Sequence, residues 1–423
     1  MSLQLEPEER AMLAGDAGAG PALAMRLVVR AAEVLEADRL IPITGAHVDS
    51  CLYHGEATID FVDRLVDGGA TVRVPTTLNV GAVDLIHPEL WRGDPEVGAR
   101  GRRLMEQYRA LGCRPTFTCA PYQLADARPG LGEQVAWGES NAIVFANSVL
   151  GARTARYGDF MDIAAAVTGR VPDAGLHRAE ERRARVVLRL AEDIPLPLFD
   201  DDSLYPVIGL VVGRLVGGRV AALVGLPPGI DEDRLKALGA AAASSGAVAL
   251  LHVVGSTPEA PTLTDALQGG EQDDEQIVTL DALREARAAV GGEVGGSIVA
   301  ASLGTPHASA AELVAIADLL AGRPVADGVE LLVSTSRDTL AGAEQSGVAA
   351  RLRASGVELL VDTCSYISPI LRSPSGPVMT DSGKWAYYAP GNIGAAVVFG
   401  SRAECVASAV AGHVVRDPTW GTA

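Results

Sequence analysis

The sequence predicts an α/β protein built from parallel sheets, with two or more lobes around a central cleft. Short apolar, strand-like segments alternate with helical segments that end at glycines, as at 68–69 and at 112. Hydrophobic residues make up 48% of the 423 residues, which is enough for large cores, and aromatic residues only 4%. The length by itself suggests two to three domains.

In the first half, strands and helices follow one another in regular order. An apolar stripe after a glycine-rich break predicts helix over 6–37, and an apolar run predicts a strand from Leu40. The remaining elements expected here are a helix at 61–69, a strand at 70–77, a helix at 95–112 and a strand at 114–121.

A segment rich in proline and aspartate, 191–206, predicts a crossover between lobes, so the expected lobes are 1–205 and 206–423. Beyond the crossover, the patterns predict strands at 206–213 and 219–224, a helix at 231–246, a strand at 247–255 and an exposed loop at 269–276. The similar segments GVELLVSTS and GVELLVDTC predict two parallel buried strands of one sheet.

Charge and composition exclude several classes of function. Lys and Arg total 35 against 53 Asp and Glu, a net charge of −18, so the chain lacks the basic surface of a nucleic-acid or anionic-membrane binder. The apolar stretch 206–226 carries two arginines and five glycines, which favours buried structure over a membrane span. No secretory signal is recognised, so a cytoplasmic protein with free or metal-binding cysteines is expected.

Three loops after apolar runs each contain a cysteine: 43–55, 116–122 and 361–369. Ligands bind beyond the carboxyl ends of parallel strands, so these thiols can converge on an iron–sulfur cluster with one open iron. The alternative is that they are buried, inert cysteines. A third reading is a zinc site of His47, His54 and a cysteine.

Two further segments carry unusual polar residues. In 137–154, polar side chains alternate with apolar ones, which indicates either substrate binding or a capped helix. In 380–394, Lys384 beside Gly383 can receive a carboxylate, or the segment is a surface turn. His307 follows a proline in a predicted loop, where a lone histidine is more often structural.

Together these segments resemble the aconitase X family, specifically its catalytic large subunit. The matching segments, spread from about residue 40 to about 412, are HVDSCLYHG, TFTCAPY, GESNAIVFANSVLGART, GDFMDIAAAVTGRVPDAGLH, LHVVGSTPEAPT, GTPHAS, VDTCSYISPI and VMTDSGKWAYYAPGNIG. The resemblance implies aconitase-like α/β/α layers and an iron–sulfur-dependent hydro-lyase acting on a small hydroxy acid.

The resemblance also implies site residues. Cys119 and Cys364 match the family's cysteine motifs best, Cys51 is the expected third metal ligand, and Cys113 is the alternative. The residues assigned to substrate binding are His47, Thr76, Thr77, Ser140, Asn141, Arg153 and Thr154. The residues assigned to catalysis are Lys384, Ser382 and His307.

Family members include cis-3-hydroxy-L-proline dehydratases and mevalonate 5-phosphate dehydratases. The YHG ending of the first motif and the lone-subunit layout favour cis-3-hydroxy-L-proline, with mevalonate 5-phosphate as the alternative. The family also implies a small swivel-domain subunit that supplies a serine base, so a heterodimer is expected. The alternative hypothesis from a different class of function is a non-catalytic, aconitase-like binding subunit.

Overall fold

The computed structural model describes residues 3–291, 296–373 and 375–421. They form two compact units that interleave in sequence. The first unit takes the chain up to Val83 and then Asp94–Arg183, and the second takes Asp84–Gly93 and everything from Ala184 onward. The short segment 84–93 therefore belongs to the second unit although both its neighbours in sequence belong to the first.

The first unit is built from short strands and mostly amphipathic helices. Its helices are α1 (Pro7–Ala14), α2 (Ala19–Val34), α3 (Glu56–Asp67), α4 (Pro95–Ala110), α5 (Ser140–Phe145) and α6 (Met161–Thr168). Its strands are β1 (Leu40–Pro42), β2 (Gly45–Val48), β3 (Thr76–Leu78), β4 (Val135–Trp137) and β5 (Arg170–Pro172).

The central sheet of the first unit is parallel, in the order β3-β2-β4, and β1 pairs antiparallel with β5. Strand β2 is almost fully buried, as expected for a central parallel strand covered on both faces. Helix α5 continues as one π-helical turn, Ala146–Leu150, before the left-handed Gly151 ends it. The carboxyl ends of β2 and β4 lead directly into the predicted substrate-binding segments.

The second unit contains nine α-helices and nine strands among its described residues. Its helices are α7 (Leu204–Val216), α8 (Glu232–Ser245), α9 (Leu263–Ala266), α10 (Leu280–Gly291), α11 (Ala310–Leu320), α12 (Arg337–Gln345), α13 (Val348–Ala354), α14 (Gly383–Ile393) and α15 (Arg402–Ala411). Its strands are β6 (Val186–Leu190), β7 (Ala221–Val224), β8 (Leu251–Val253), β9 (Asp274–Val278), β10 (Ala300–Ala308), β11 (Glu330–Thr335), β12 (Val357–Leu360), β13 (Pro377–Thr380) and β14 (Ala396–Phe399).

Two parallel sheets organise the second unit, in the orders β8-β7-β6-β9 and β12-β11-β10-β13-β14. The two similar segments are neighbours, as predicted, with Leu331 opposite Val357 in β11 and β12. Side chains of β10, β11 and β12 join those of α11 and α15 in one apolar core. All three strands point the same way, so the residues that follow them meet at one edge of the sheet.

Four local predictions were wrong. Residues 114–121 form no strand, because only Arg114 makes a single bridge, to Thr77, and residues 115–120 are loop. Residues 206–213 lie in helix α7, because an apolar run that is buried all round cannot be told from a strand by periodicity alone. Part of the predicted loop 269–276 forms the edge strand β9, whose residues alternate between exposed and buried. His307 lies in strand β10 rather than in a loop.

Among the described residues, no helix on its own has the length and apolar character needed to cross a membrane. Helices α1 and α2 meet that test only when taken together, and they are bent by 119° at their junction.

Candidate active site

In the second unit, Cys364 follows β12 through a very tight turn. The amide of Thr363 donates to the carbonyl of Val361 at 2.7 Å, and Asp362 between them has φ of 63°. This is a γ-turn with a left-handed central residue, a rare and strained form. The Cys364 carbonyl accepts hydrogen bonds from the amides of Ile367 and Ser368, both at 3.1 Å, and its side chain is fully buried.

His307, near the end of β10, lies beside this cysteine. Its imidazole is fully buried and Nε2 donates to the Thr363 carbonyl at 3.2 Å. The ligand atoms of His307 and Cys364 lie within 4.8 Å of one another. A thiolate and an imidazole at this spacing are donors that transition metals prefer, so His307 is as well placed for metal binding as for catalysis.

Cys119 belongs to the first unit and is also buried. Its carbonyl accepts a hydrogen bond from Asn141 Nδ2 at 3.0 Å, and Asn141 Oδ1 accepts one from the Tyr122 hydroxyl at 2.8 Å. Asn141 was predicted to bind substrate, but the structure places both ends of its amide on the Cys119 loop. Two residues before the cysteine, Phe117 has φ of 40°.

Cys51 and Cys113 lie in a different environment within the first unit. The Cys51 thiol donates to the Asn79 carbonyl at 3.2 Å, and burial raises its pKa well above the usual value, helped by the charges of Asp49 and Asp162. Burial also raises the pKa of Cys113. In the described part of the chain, neither thiol belongs to a group of three or more possible metal ligands. The choice between them as third ligand stays a prediction.

His47 ends the parallel strand β2 as a neutral, buried imidazole. Its Nδ1 lies 2.8 Å from Thr77 Oγ1, and burial lowers its pKa to about 3. Its Nε2 makes no hydrogen bond of good geometry among the described residues, and neither does Asn79 Oδ1, although the Asn79 side chain interacts with the His47 ring. Buried polar atoms without a well-formed hydrogen bond are costly, so these two atoms at neighbouring strand ends are candidates for contact with a polar ligand.

A cluster of carboxylates follows these strand ends. Asn79 Nδ2 donates to Asp49 and, at 3.0 Å, to Glu139, while the Asp162 carboxylate accepts from the amide of Asp49 at 2.6 Å. Burial and the charge of Glu139 raise the pKa of Asp49 well above its ordinary value. Asn79 and Asp162 were not singled out from the sequence, because only the folded chain brings these three strand ends together.

Other predicted substrate-binding residues have structural partners. The Thr76 hydroxyl donates to Val74 O at 2.8 Å, the Ser140 hydroxyl to Glu139 Oε1 at 2.9 Å, and Thr154 Oγ1 accepts from the Trp137 amide at 3.1 Å. Arg153 Nη1 donates to His177 O at 3.3 Å, while its buried Nε has no partner in the described chain. Their substrate contacts stay predictions.

The other two predicted catalytic residues lie at the start of helix α14. Ser382 caps the helix by accepting from the Trp385 amide at 3.0 Å, and its hydroxyl donates to Thr305 O. Lys384 is buried, with Nζ 5.9 Å from the centre of the Tyr366 ring. Since the Ser382 proton is already donated to a carbonyl, the capping role is the one the structure supports directly.

Comparisons with known proteins agree with this arrangement. Family models match the chain in three parts: "Aconitase X first domain" over residues 2–180, "Aconitase X second domain" over 184–288 and "Aconitase X third domain" over 298–411. In a crystal structure of aconitase X from Thermococcus kodakaraensis (holo-form), the matching chain is 32% identical with a TM-score of 0.85, covering 96% of this chain and 100% of that one.

Curated relatives share most of the chain. It is 43% identical to the cis-3-hydroxy-L-proline dehydratase of Pseudomonas aeruginosa, over 99% of this chain and 72% of the relative. It is 41% identical to the enzyme of the same name from Hypocrea jecorina, over 98% and 70%. It is 36% identical to the phosphomevalonate dehydratase large subunit of Methanosarcina mazei, over 97% and 98%. The predicted family, α/β fold class with parallel sheets and dehydratase class are confirmed.

Proposed function

Because the chain belongs to the aconitase X family, we propose that it is the large subunit of a hydro-lyase that converts cis-3-hydroxy-L-proline to Δ1-pyrroline-2-carboxylate. The observation that carries the choice of substrate is the higher identity to two cis-3-hydroxy-L-proline dehydratases, 43% and 41%, than to the Methanosarcina mazei phosphomevalonate dehydratase large subunit, 36%. Mevalonate 5-phosphate is the second candidate on the strength of that relative.

We assign Cys364, Cys119 and Cys51 as ligands of an iron–sulfur cluster, with His307 beside Cys364. Buried thiols, each delivered by a loop after an apolar segment, fit the thiolate ligation that such clusters require. The Cys364–His307 pair supports this assignment most directly, since its ligand atoms lie within 4.8 Å. When bound, a cluster with an open iron supplies a Lewis acid for the substrate hydroxyl.

The reaction itself removes a proton from C2 and the hydroxyl from C3, which leaves water and an enamine that tautomerises to the cyclic imine. Lys384 provides the positive charge for the substrate carboxylate, and the start of helix α14 adds its positive dipole end. His47, which is neutral because burial lowers its pKa to about 3, offers Nε2, which makes no hydrogen bond of good geometry among the described residues, to a polar substrate group.

We propose that the base comes from a small swivel-domain subunit, as the family resemblance implies. The chain spans 72% of the Pseudomonas aeruginosa relative but 98% of the Methanosarcina mazei protein, which is named a large subunit. The name of the Methanosarcina mazei relative, a large subunit, supports the proposal of a two-subunit enzyme. The cytoplasmic location stays a prediction.

The test combines metal analysis with a substrate panel. The chain is purified without oxygen, and iron and acid-labile sulfide are measured for the unmodified protein, Cys119→Ser and Cys364→Ser. Cys405→Ser is the control, because Cys405 is a buried thiol on α15. Loss of iron in the first two variants alone is the expected result, and colourless protein after reconstitution contradicts the cluster.

The panel then compares cis-3-hydroxy-L-proline with mevalonate 5-phosphate, with and without the small subunit. Imine formation only when both subunits are present is expected. If only mevalonate 5-phosphate is turned over, it replaces cis-3-hydroxy-L-proline as the proposed substrate. If the two metal-loaded subunits together turn over neither compound, the result favours a non-catalytic subunit.

A further inference from the structure

The γ-turn before Cys364 is held by an ion pair that the reaction scheme does not use. Arg337 donates to Asp362 through two nitrogens, Nε to Oδ1 at 2.5 Å and Nη2 to Oδ2 at 2.6 Å. Asp362 is fully buried, whereas the Arg337 side chain is 30% exposed. A two-pronged contact of this kind restricts both the position and the orientation of the carboxylate.

The topology brings the two residues together. Arg337 is the first residue of α12, directly after β11, and Asp362 follows β12. Since β11 and β12 are parallel neighbours, both residues lie at the same edge of the sheet. Arg337 therefore reaches from one strand end to the turn at the next.

A second contact holds the same turn from the segment 84–93. Asp84 Oδ2 accepts from the Val361 amide at 3.0 Å, and the Leu85 amide donates to Asp362 Oδ2 at 3.1 Å. Asp84 is itself held by the amides of Ile86 and His87, both at 2.8 Å. The residues immediately before Thr363 and Cys364 thus have their polar groups fixed from two directions.

The turn needs this support because its central residue is not glycine. A residue with a Cβ pays a steric penalty at φ of 63°, and such conformations persist only where surrounding contacts over-determine them. Relaxation of Asp362 toward negative φ would rotate the chain that follows and displace the Cys364 thiol, two residues on.

We propose that Arg337 is a positioning residue for Cys364, which acts through Asp362 by holding the left-handed γ-turn that presents the thiol. The inference rests on the proposed function only in treating Cys364 as a metal ligand. The turn and its contacts can be tested in protein prepared without metal.

The experiment measures alkylation by iodoacetamide at single cysteines in the folded, metal-free chain, read by peptide mass spectrometry. Cys364 and Cys405 are both fully buried in the second unit, so Cys405 reports general unfolding while Cys364 reports local opening of the turn. Replacing Arg337 by Gln removes the charged, two-pronged contact, and we expect alkylation of Cys364 to rise about tenfold or more with Cys405 nearly unchanged. The charge-conserving Arg337→Lys should fall between the two, because an ammonium lacks the paired geometry.

Two substitutions of the aspartate separate turn geometry from charge. Asp362→Ala keeps the Cβ and loses the pair, so Cys364 should become reactive. Asp362→Gly also loses the ion pair with Arg337, but glycine adopts positive φ without steric cost. The turn should therefore persist, and the Cys364 thiol should remain slow to react. The matched control is Arg353→Gln on the neighbouring helix α13. It removes an exposed pair with Glu344 of α12 and should change neither thiol.

The proposal is overturned if alkylation of Cys364 and Cys405 rises equally in Arg337→Gln. It is also overturned if Cys364 is alkylated equally fast in Asp362→Ala and Asp362→Gly. Either result would leave Arg337 with a general stabilising role. Iron content is measured in parallel. If the alkylation results are as expected but the chain never binds iron, the proposed function is rejected and the positioning role of Arg337 stands. If Arg337→Gln opens the turn, as shown by faster alkylation of Cys364, but still binds the normal amount of iron, then Arg337 does not position Cys364 for metal binding.

Discussion

Phe117 and Asp362 hold the same place in two separate loops. Each lies two residues before a buried cysteine, each has positive φ, 40° and 63°, and a threonine separates it from the cysteine in both cases. Phenylalanine is disfavoured in this conformation and aspartate is better tolerated, but both carry a Cβ and need local support. Phe117 is fully buried in the first unit, and Asp362 is bound by Arg337 in the second.

The Cys119 loop depends on the amide of Asn141. Asn141→Asp keeps an oxygen for the Tyr122 hydroxyl but cannot donate to the Cys119 carbonyl, and the lost hydrogen bond should cost about 1–3 kcal/mol locally. We expect iron per chain after anaerobic reconstitution to fall severalfold. Tyr122→Phe is the control, because it removes only the hydroxyl and leaves the Asn141 donor in place. Full loading of Asn141→Asp would show that the carbonyl contact does not orient the thiol.

Gly304 limits what β10 can accept near His307. It has φ of 80°, and a Cβ at this position would lie 2.1 Å from the Ser334 carbonyl oxygen of β11. Gly304→Ala should therefore lower the free energy of unfolding by about 2–4 kcal/mol, measured by urea denaturation. Gly342→Ala is the control on the exposed face of α12, where no atom lies within 4 Å of the new Cβ, and it should stabilise by about 0.5–1 kcal/mol. Equal effects of the two would contradict the steric argument.

Glu312 neutralises one buried and one partly buried cation in the second unit. It contacts Lys236 Nζ, whose side chain is only 3% exposed, and Arg402 Nη2 at 2.7 Å. Glu312→Gln leaves both cations with less compensating charge and should cost about 3–5 kcal/mol of unfolding free energy. Asp318→Asn breaks the exposed pair with Arg351 and should cost less than about 1 kcal/mol. Urea denaturation at one pH gives the free energy of unfolding of both variants. If both lose a similar, small amount, the contacts of Glu312 with Lys236 and Arg402 contribute little to stability.

His47 should make the chain less stable in acid. Its pKa is about 3 in the folded chain and near the usual 6.5 when unfolded, so between these values the unfolded state binds the extra proton. Stability from this group is complete above about pH 6.5 and is lost as the pH falls toward 3, by about 1.4 kcal/mol per pH unit.

The measurement is the difference in unfolding free energy between wild type and His47→Gln at several pH values from 7.5 to 5. Below about pH 6.5, the stability of the wild type relative to His47→Gln should fall by about 1.4 kcal/mol per pH unit. This change does not depend on the size of the difference at neutral pH. The exposed His413→Gln is the control and should show a constant difference. A constant difference for His47→Gln would mean that the ring has the same pKa in the folded and unfolded chain.

Local patterns predicted much of the second unit. The pairing of β11 with β12 follows from two similar apolar segments, and helix α8 begins where Asp231 supplies a cap. The same patterns failed for α7, which is buried on almost all sides, so its apolar run was taken for buried strand. Side-chain partners such as Arg337 and Asp362 lie 25 residues apart and meet only because two strands are neighbours, so no local pattern could have predicted them.

The sequence by itself determined the α/β class, the family and the cysteine motifs around Cys119 and Cys364, because alternating apolar segments and ordered motifs are properties of the chain alone. The tertiary structure decided which polar atoms hold those motifs: Asn141 on the Cys119 carbonyl, Arg337 on the turn before Cys364, and His307 in a strand beside that cysteine. These contacts depend on which strand ends share a sheet edge and on the cost of leaving buried polar groups unpaired, and both are settled only when the chain folds.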